Sequence, residues 1–587
     1  MKKLRVFLAD YKKESILAPA FKLLEALFDL FVPLVVARII DVGIPSGNRG
    51  LLFRQFGILI LLAVVGIVCS VTAQYFAAKA SVGFATKLRQ ALFDHIQKLS
   101  YKELDRLGTN TLITRMTSDV QQVQNGLNLA LRLLLRSPFI VFGSMIIAFT
   151  IDVKAALVFM VAIPVLSVVV FAIMLVSIPL YKKVQAALDQ VLGATRENLT
   201  GVRVIRAFCK EDEEVRDFDA KNEALTKMNE FVGRISALMN PATYLLINLA
   251  TIVLIRVGAV RVDLGAIQQG DVVALYNYMA QMIVELIKLA SLIITIDKSI
   301  ACAERISRIF DVVPGQSFPE KTQGEVTGSK DTAVSFRGVT FSYEGAREPS
   351  VENVSFTAAR GETIGIIGGT GAGKSSLVSL IARCYDPQEG RIQLFGRDIR
   401  DYSMQELVNL VGVVPQKAVL FQGSIRDNLK WGNENATDAE LMDAVRTAQA
   451  AEVVEGKEGK LDFAVEQNGR NLSGGQRQRL TIARALVRKP KILILDDSAS
   501  ALDFATDAAL RRAIRGLEGS MTVFIVSQRT ASIMNADRIL VLDDGKIAGE
   551  GTHAQLLQSC PLYQEIFYSQ FPEKRPKTQA GGEEVLA

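Results

Sequence analysis

Residues 362–376 read ETIGIIGGTGAGKSS, and the chain runs on from Ser376 as SLVSLIARCY. Ile364–Ile367 is an apolar run of strand length, and the segment from Ser376 has a helical apolar pattern. Between them, Gly368 to Ser375 match G-x-x-x-x-G-K-S in full. Strand, glycine-rich loop and helix in that order are the context a phosphate-binding loop requires. Gly368, Gly369, Thr370, Gly371, Ala372 and Gly373 form the loop. Its glycines let backbone N–H groups approach phosphate oxygens without a Cβ in the way, and the helix start adds its positive dipole. Lys374 is expected to reach the β- and γ-phosphates and the Ser375 hydroxyl to ligate magnesium, with Ser376 opening the helix.

A second stretch, ILILDDSASALD (492–503), ends an apolar strand in two carboxylates, Asp496 and Asp497. In P-loop nucleotidases another strand brings a carboxylate beside the phosphates to hold magnesium, and Asp496 is expected in that place. A helix cap by either aspartate is the competing local reading. Just upstream, NLSGGQRQRLTIARAL (471–486) opens a helix at Ser473, Gly474 and Gly475, which makes a second anion-binding helix start.

The rest of the chain divides sharply. Of 587 residues 49% are hydrophobic, and the excess lies in long uncharged runs before about residue 310, whereas 331–587 read as a soluble domain. The net charge of +6 with no dense basic tract argues against nucleic-acid binding. Five scattered cysteines (Cys69, Cys209, Cys302, Cys384, Cys560) with no CxxC pair argue against a disulfide framework or a zinc site. The basic start, MKKLRVFLADYKK, is not followed by an apolar segment at signal-peptide distance, so no cleavage is expected.

Six membrane spans are expected: Ile16–Ile40, Phe56–Ala78, Ser137–Ile151 extended upstream by Leu133–Leu135, Ala155–Tyr181, Ile235–Ile255, and Val272–Val284 extended to Ile296. Lys and Arg concentrate in the N-terminus and in segments 79–136 and 182–234, which places both termini in the cytoplasm. Those two segments are too long for simple loops and read as membrane helices continuing into the cytoplasm, with turns near 105–110 and 207–214. Lys22, Glu25 and Asp29 share one face of the first span, and Glu285 and Lys288 share one face of the sixth. Self-pairing, a water-filled space between helices and direct substrate contact are the open readings; a water-facing cavity is favoured. The domain plan is a transmembrane domain over 1–313, a linker over 314–331, an ATP-binding domain over 332–570, and a disordered tail over 571–587.

With these motifs in order, the chain resembles an ATP-binding cassette exporter half-transporter over nearly its whole length. The resemblance implies that Tyr343, in FSY, stacks on adenine. Gln416, in VGVVPQ, would contact magnesium and the membrane domain. Leu472, Ser473, Gly474, Gly475 and Gln476 match the LSGGQ signature, and Ser500, Ala501, Leu502 and Asp503 the D-loop. The turns near 105–110 and 207–214 then match coupling helices. In the family ATP is sandwiched between one chain's P-loop and the other chain's signature, so two chains make two sites.

Two departures matter. The family's catalytic Glu after the magnesium Asp is here Asp497, one methylene shorter, and a shift of about 1 Å can cost ~10²-fold in rate. The family's switch His is here Gln528, in MTVFIVSQRT, which cannot carry a cationic charge. The only histidines, His95 and His553, do not fit that place by motif, and His553, in GTHAQLL, reads as structural. A lesser departure is QNG at 467–469, where the family usually has Glu-x-Gly. Both main losses fall on the site built on this chain's own P-loop, while the signature serving the opposite site is intact. That asymmetry resembles heterodimeric exporters.

The expected fold is therefore an all-α six-helix transmembrane domain fused to an α/β P-loop nucleotide-binding domain with a helical subdomain. The expected function is one subunit of a multidrug-type exporter of amphiphilic compounds in a bacterial plasma membrane, with ATP and Mg2+, and with a second half-transporter as partner. Alternatives are a homodimeric lipid or peptide exporter with slowed hydrolysis, or a non-pumping regulatory membrane protein on this scaffold. A DNA-repair or translation ATPase is opposed by the upstream spans.

Overall fold

The computed structural model describes residues 2–326, 331–498, 500–517 and 521–575. The expected disordered tail, 571–587, lies from residue 576 onward outside the described residues. The chain forms two compact units, Met1–Gln97 with Thr109–Val312, and Lys98–Gly108 with Val313–Ala587.

After a short 3-10 stretch, Lys2–Tyr11, the first unit is helical throughout. Its helices are α1 (Lys12–Arg38) and α2 (Arg49–Ile96); then, beyond α3 (Tyr101–Leu107), which groups with the second unit, α4 (Thr109–Thr114), α5 (Val120–Leu133), α6 (Arg136–Ile151), α7 (Val153–Ala207), α8 (Glu211–Ala237), α9 (Met239–Asp263) and α10 (Gln269–Phe310). Among the described residues, five stretches are long and apolar enough to cross a membrane: Arg49–Ile96, Thr109–Ile151, Val153–Ala207, Glu211–Asp263 and Gln269–Phe310. The helix α1 is not among them, because Lys22, Glu25 and Asp29 interrupt its apolar content. Two expected spans are not single helices. The third breaks at Leu134–Leu135 and the fifth at Leu238. Each break ends three residues before a proline, Pro138 and Pro241, whose missing N–H leaves a carbonyl of the preceding turn without its helical donor.

Small residues bring the helices together. Ala73, Ala77 and Ala80 of α2 recur at helical spacing, are fully buried, and let a neighbouring backbone come close. The large buried side chains Phe159, Leu254, Tyr278 and Met282 fill the centre of the unit, and the Tyr278 hydroxyl donates to the carbonyl of Leu30 at 2.5 Å. Ile60, Ile67 and Val71 on the opposite side of α2 remain open, as side chains bathed in lipid would be. Asp152 caps α7 by accepting from the Ala155 N–H at 2.8 Å and takes a forked pair from Arg261 at 2.8 and 2.6 Å.

The second unit carries strands β1 (Thr332–Phe341), β2 (Val351–Ala359), β3 (Thr363–Gly368), β4 (Glu389–Leu394), β5 (Arg397–Asp398), β6 (Val411–Val414), β7 (Gly423–Ser424), β8 (Ala464–Val465), β9 (Ile492–Asp496), β10 (Thr522–Val526), β11 (Arg538–Asp543) and β12 (Lys546–Gly551). An antiparallel sheet runs β2-β1-β4-β5, and a larger sheet runs β12-β11-β3-β10-β9-β6 with its interior strands parallel. β3, β9 and β10 are buried almost throughout, which is why they read as continuous apolar runs rather than as alternation. A helical subdomain between β6 and β9 includes Ile425–Lys430, Asp438–Thr447, Ala451–Glu455 and Gly474–Val487.

Candidate functional site

Parallel α/β sheets bind ligands beyond the carboxyl ends of their strands. Four of the expected residues sit at or just past such ends. Gly368 closes β3, Asp496 closes β9, Gln416 follows β6 by two residues, and Gln528 follows β10 by two. Val526 of β10 stands level with Ile366 of β3 and with Asp496 of β9, so the strand ends come together at one edge.

The loop after β3 needs its glycines. Gly371 and Gly373 have φ of +86° and +89°, the left-handed region that side chains resist. A Cβ on Gly373 would also stand 2.1 Å from the Ser350 carbonyl oxygen. Around Gly369 and Gly371 nothing lies within 4 Å of an added Cβ, which is the open face a phosphate chain would meet. Lys374 is buried and its Nζ donates to the carbonyls of Gly368 and Gly369 at 3.0 and 2.5 Å. Burial pushes its pKa down, against the pull of Asp497 and Asp496.

The Ser375 hydroxyl donates to Asp496 Oδ1 at 3.0 Å, and Gln416 Nε2 donates to Asp497 Oδ2 at 3.3 Å. Hydroxyl, carboxylate and amide oxygens are the hard donors magnesium takes. Among the described residues no cluster of three or more His, Cys, Asp or Glu forms a metal cage. Burial raises both aspartates above the usual carboxylate range. The Ser375 hydrogen bond opposes this at Asp496, and those of Gln416 and then the Lys374 charge oppose it at Asp497. Asp497 has φ +44°, and its N–H donates to the Val526 carbonyl at 3.0 Å, so its carboxylate leaves the strand end in a fixed direction.

Sequence reasoning missed two supports of this edge. Arg529 donates to the carbonyls of Leu502 and Ser500 at 3.2 and 3.1 Å and lies over the Phe504 ring, fastening the segment after Gln528 to the segment matching the D-loop. Gln570, at the end of the helix Pro561–Gln570, donates to the Gln528 carbonyl at 2.8 Å and accepts from the N–H and hydroxyl of Thr530 at 2.9 and 2.8 Å. Thr530 is fully buried. Gln570→Ala should therefore strand a buried donor, at a cost of ~1–3 kcal/mol. The thermal midpoint should fall by about 5 °C, with partial recovery in Gln570→Glu, which keeps the acceptor. An unchanged midpoint in Gln570→Ala would contradict this bracing.

Ser473 caps the helix Gly474–Val487. Its hydroxyl accepts from the Gln476 N–H at 3.3 Å, and its own N–H donates to Gln476 Oε1 at 3.0 Å. Leu472 is buried and anchors the turn, whereas Ser473 and Gly474 are exposed. A Cβ on Gly475 would lie 3.1 Å from the Ala501 carbonyl oxygen, so the segment Ser500–Asp503 runs against the helix start. Asp503 caps the next helix, Phe504–Arg515. Tyr343 presents its hydroxyl to Ser376 Oγ at 3.2 Å. Neither histidine joins these groups: His95 lies against the carbonyls of Ile309 and Val312, and His553 bonds Tyr563 at 2.7 Å beside Phe567.

In the first unit the expected charges are drawn into ion pairs. Lys22 binds Glu25 at 2.5 Å and Ser70 at 3.1 Å; Lys288 binds Glu285 at 3.0 Å. The common partner of the three carboxylates is Arg136, which sequence reasoning had counted with the basic segment 79–136. Arg136 reaches Glu285 at 2.6 Å, Asp29 at 3.0 Å and Glu25 at 3.9 Å. Lys22 and Glu285 are buried, while the side chains of Asp29 and Lys288 remain 41% and 46% exposed.

The comparisons with known proteins match stretches in both units. Residues 15–286 match the ABC transporter transmembrane region and residues 351–500 the ABC transporter family. The chain is 35% identical to the uncharacterized ABC transporter ATP-binding protein YfiB of Bacillus subtilis, over 97% of this chain and 99% of that one. It is 28% identical to an ATP-dependent lipid A-core flippase of Vibrio vulnificus, over 97% and 98%. The fold matches a bacterial Atm1-family ABC exporter with ATP bound, with a TM-score of 0.77 and 24% identity over 95% of this chain and 99% of that one. The chain belongs to the ABC transporter family, as an ATP-driven exporter that joins a helical transmembrane domain to an ATPase cassette.

Proposed function

We propose that this chain is one half of a heterodimeric exporter of amphiphilic compounds, in which its own P-loop site turns over poorly and its signature completes the partner's active site. What carries this reading is the pair Asp497 and Gln528. A shorter carboxylate, held by Gln416, stands where the family has its Glu, and an exposed amide stands where it has its His. Ser473 and Gln476, which would serve the opposite site, keep a complete capping box. In this reading Tyr343, Gly368 to Ser376 and Gln416 bind ATP, and Ser375, Asp496 and Gln416 hold magnesium, which shields phosphate charge when bound. The transporting half is 1–313, with α1 as the first of six spans, and the cassette 332–570, with both termini in the cytoplasm of a bacterial cell. An apolar cavity of ≈440 Å3 between α7, α9 and α10, lined by Leu166, Ala250 and Met282 among others, supports a cargo with an apolar part. Asp29 and Lys288 do not line that cavity; they are the partly exposed members of the charge network.

Purified alone, the chain should hydrolyse ATP weakly and form poor homodimers. Co-expressed with a second half-transporter bearing Glu and His at the matching places, it should co-purify at one to one. Vigorous ATPase activity from the single gene product would rule out the heterodimer.

A further inference from the structure

Apart from its apolar cavity, the first unit holds a second one of ≈420 Å3, between α2, α5 and α10. Its polar wall is made by Ser81 of α2, by Gln122, Gln124, Asn125 and Asn128 of α5, and by Thr295 of α10. The four amides recur three and four residues apart, so one face of α5 presents them together. Among the described residues no charged side chain lines the cavity. Arg132 stands one turn further along α5 and is not part of the lining, and Lys79, beside the lining residue Ala78, is held by Glu14 at 2.9 Å.

The cavity sits at one depth. Ala78 ends the second expected span, Thr295 is next to the end of the sixth, and Leu129, also in the lining, precedes the start of the third by one turn. These are the ends that the Lys and Arg bias turns toward the cytoplasm. Hydrocarbon stops at that depth and lipid headgroups begin.

The walls are held before a ligand arrives. The Asn128 amide donates to Ser81 Oγ at 3.2 Å, which joins α5 to α2. The Ser299 hydroxyl meets the carbonyls of Gln122 and Thr295, each at 2.8 Å, which joins α10 to α5. Gly126 lets these two helices touch, since a Cβ there would stand 2.0 Å from Ser299 Oγ. A site fixed in this way loses little freedom on binding. The side-chain amides of Gln122 and Gln124, in contrast, are half-buried and have no hydrogen-bond partner among the described residues. Each offers one acceptor and two donors. A phosphodiester only accepts and an ammonium only donates, and either would enter without a counter-charge. A hydroxyl donates and accepts at once, so neighbouring hydroxyls match the amides in both directions.

We propose that this cavity binds the uncharged, polyhydroxylated headgroup of a membrane lipid, a sugar carried on acyl chains, as the polar end of the cargo. This rests on the reading that the chain exports amphiphilic compounds, and it narrows that class to glycolipids. The acyl chains stay in the hydrocarbon while the sugar exchanges water for fixed amides.

The test is equilibrium binding of tritiated monoglucosyl diacylglycerol to the full-length protein in the assembly in which it purifies. The detergent is a polyoxyethylene ether, which carries no sugar, and nucleotide is left out so that turnover plays no part. Diacylglycerol and phosphatidylglycerol with the same acyl chains are the lipid competitors, and methyl glucoside is the free sugar. The glucosyl lipid should bind about tenfold tighter than either other lipid. Methyl glucoside should compete at least about 100-fold more weakly than the glucosyl lipid, because it lacks the acyl chains. Gln122→Leu with Gln124→Leu should weaken the glucosyl lipid by about tenfold and leave diacylglycerol unchanged, which also reports that the variant is folded. Gln124→Leu alone should act in the same direction by about threefold, and it decides if the double variant loses diacylglycerol as well. Equal affinity for the glucosyl lipid and diacylglycerol overturns the headgroup assignment and leaves the amphiphile reading standing. Tighter binding of phosphatidylglycerol overturns it in favour of an anionic head. Methyl glucoside competing as well as the glucosyl lipid overturns the lipid as the source of the sugar. Unchanged affinity for the glucosyl lipid in both variants overturns the cavity as its site. If none of the three lipids binds, the amphiphile reading falls together with the proposal.

Discussion

Ser473→Trp should lower the steady-state ATPase activity of the assembled transporter by about 100-fold or more, the scale of losing a preorganised contact to developing charge. Ser473 is exposed at the start of a fourteen-residue helix, and nothing lies within 4 Å of a Cβ placed on the neighbouring Gly474. An anion can therefore approach the free N–H groups of the first turn. An indole at this position covers that approach. It also removes a cap that stabilises the helix by only ~1 kcal/mol, so with Leu472 buried beneath the turn the fold should survive. Asp497→Ala, in contrast, should change turnover by less than about twofold, because the proposed arrangement places hydrolysis at the site that the Ser473 signature completes. The paired change Asp497→Glu with Gln528→His restores a longer base and a switch cation to this chain's own site, and raises turnover only if the partner's signature is intact. The deciding measurement is steady-state hydrolysis with the partner present. Equal loss from Ser473→Trp and Asp497→Ala would make this chain's own site catalytic and end the asymmetric assignment.

Why these sites could be read at all follows from how local their chemistry is. Gly368 to Ser375 must supply close-approaching backbone, an ammonium and a hydroxyl within eight residues, and no long-range pairing is needed to recognise them. The buried strands β3 and β9 announce themselves as apolar runs, but the sheet order β12-β11-β3-β10-β9-β6 is set by crossovers that leave no local trace. Partners far apart in the chain were equally silent. Tyr385 and Asp105 are separated by 280 positions and Arg136 and Glu285 by 149. The helix breaks at Leu134–Leu135 and Leu238 were legible in principle from Pro138 and Pro241, but hydropathy outweighed the prolines in defining the spans.

Arg136 is the sharper case, because its place among the Lys and Arg of the basic segment 79–136 concealed that it serves three carboxylates. Arg136→Met should destabilise the helical unit by ~3–5 kcal/mol, the cost of leaving a buried ion without its partner. Arg136 holds Glu285 at 2.6 Å and Asp29 at 3.0 Å through different nitrogens, so one guanidinium joins α1, α6 and α10. Glu285 keeps Ser137 at 2.7 Å and Lys288 at 3.0 Å, but Lys288 is 46% exposed and a weaker counter-charge. Arg136→Lys should recover little, since an ammonium is a point charge and cannot span two carboxylates as a planar fork does. The informative control is Arg136→Met with Glu285→Gln, which removes both buried charges and keeps the packing. That double variant should regain more than half of the lost stability, because the penalty lies in the orphaned carboxylate rather than in the missing pair. Thermal unfolding of the full-length protein in detergent measures all three variants. If Arg136→Met leaves the midpoint unshifted, the network is not structural, and Glu25, Asp29 and Glu285 are free to serve the cargo instead.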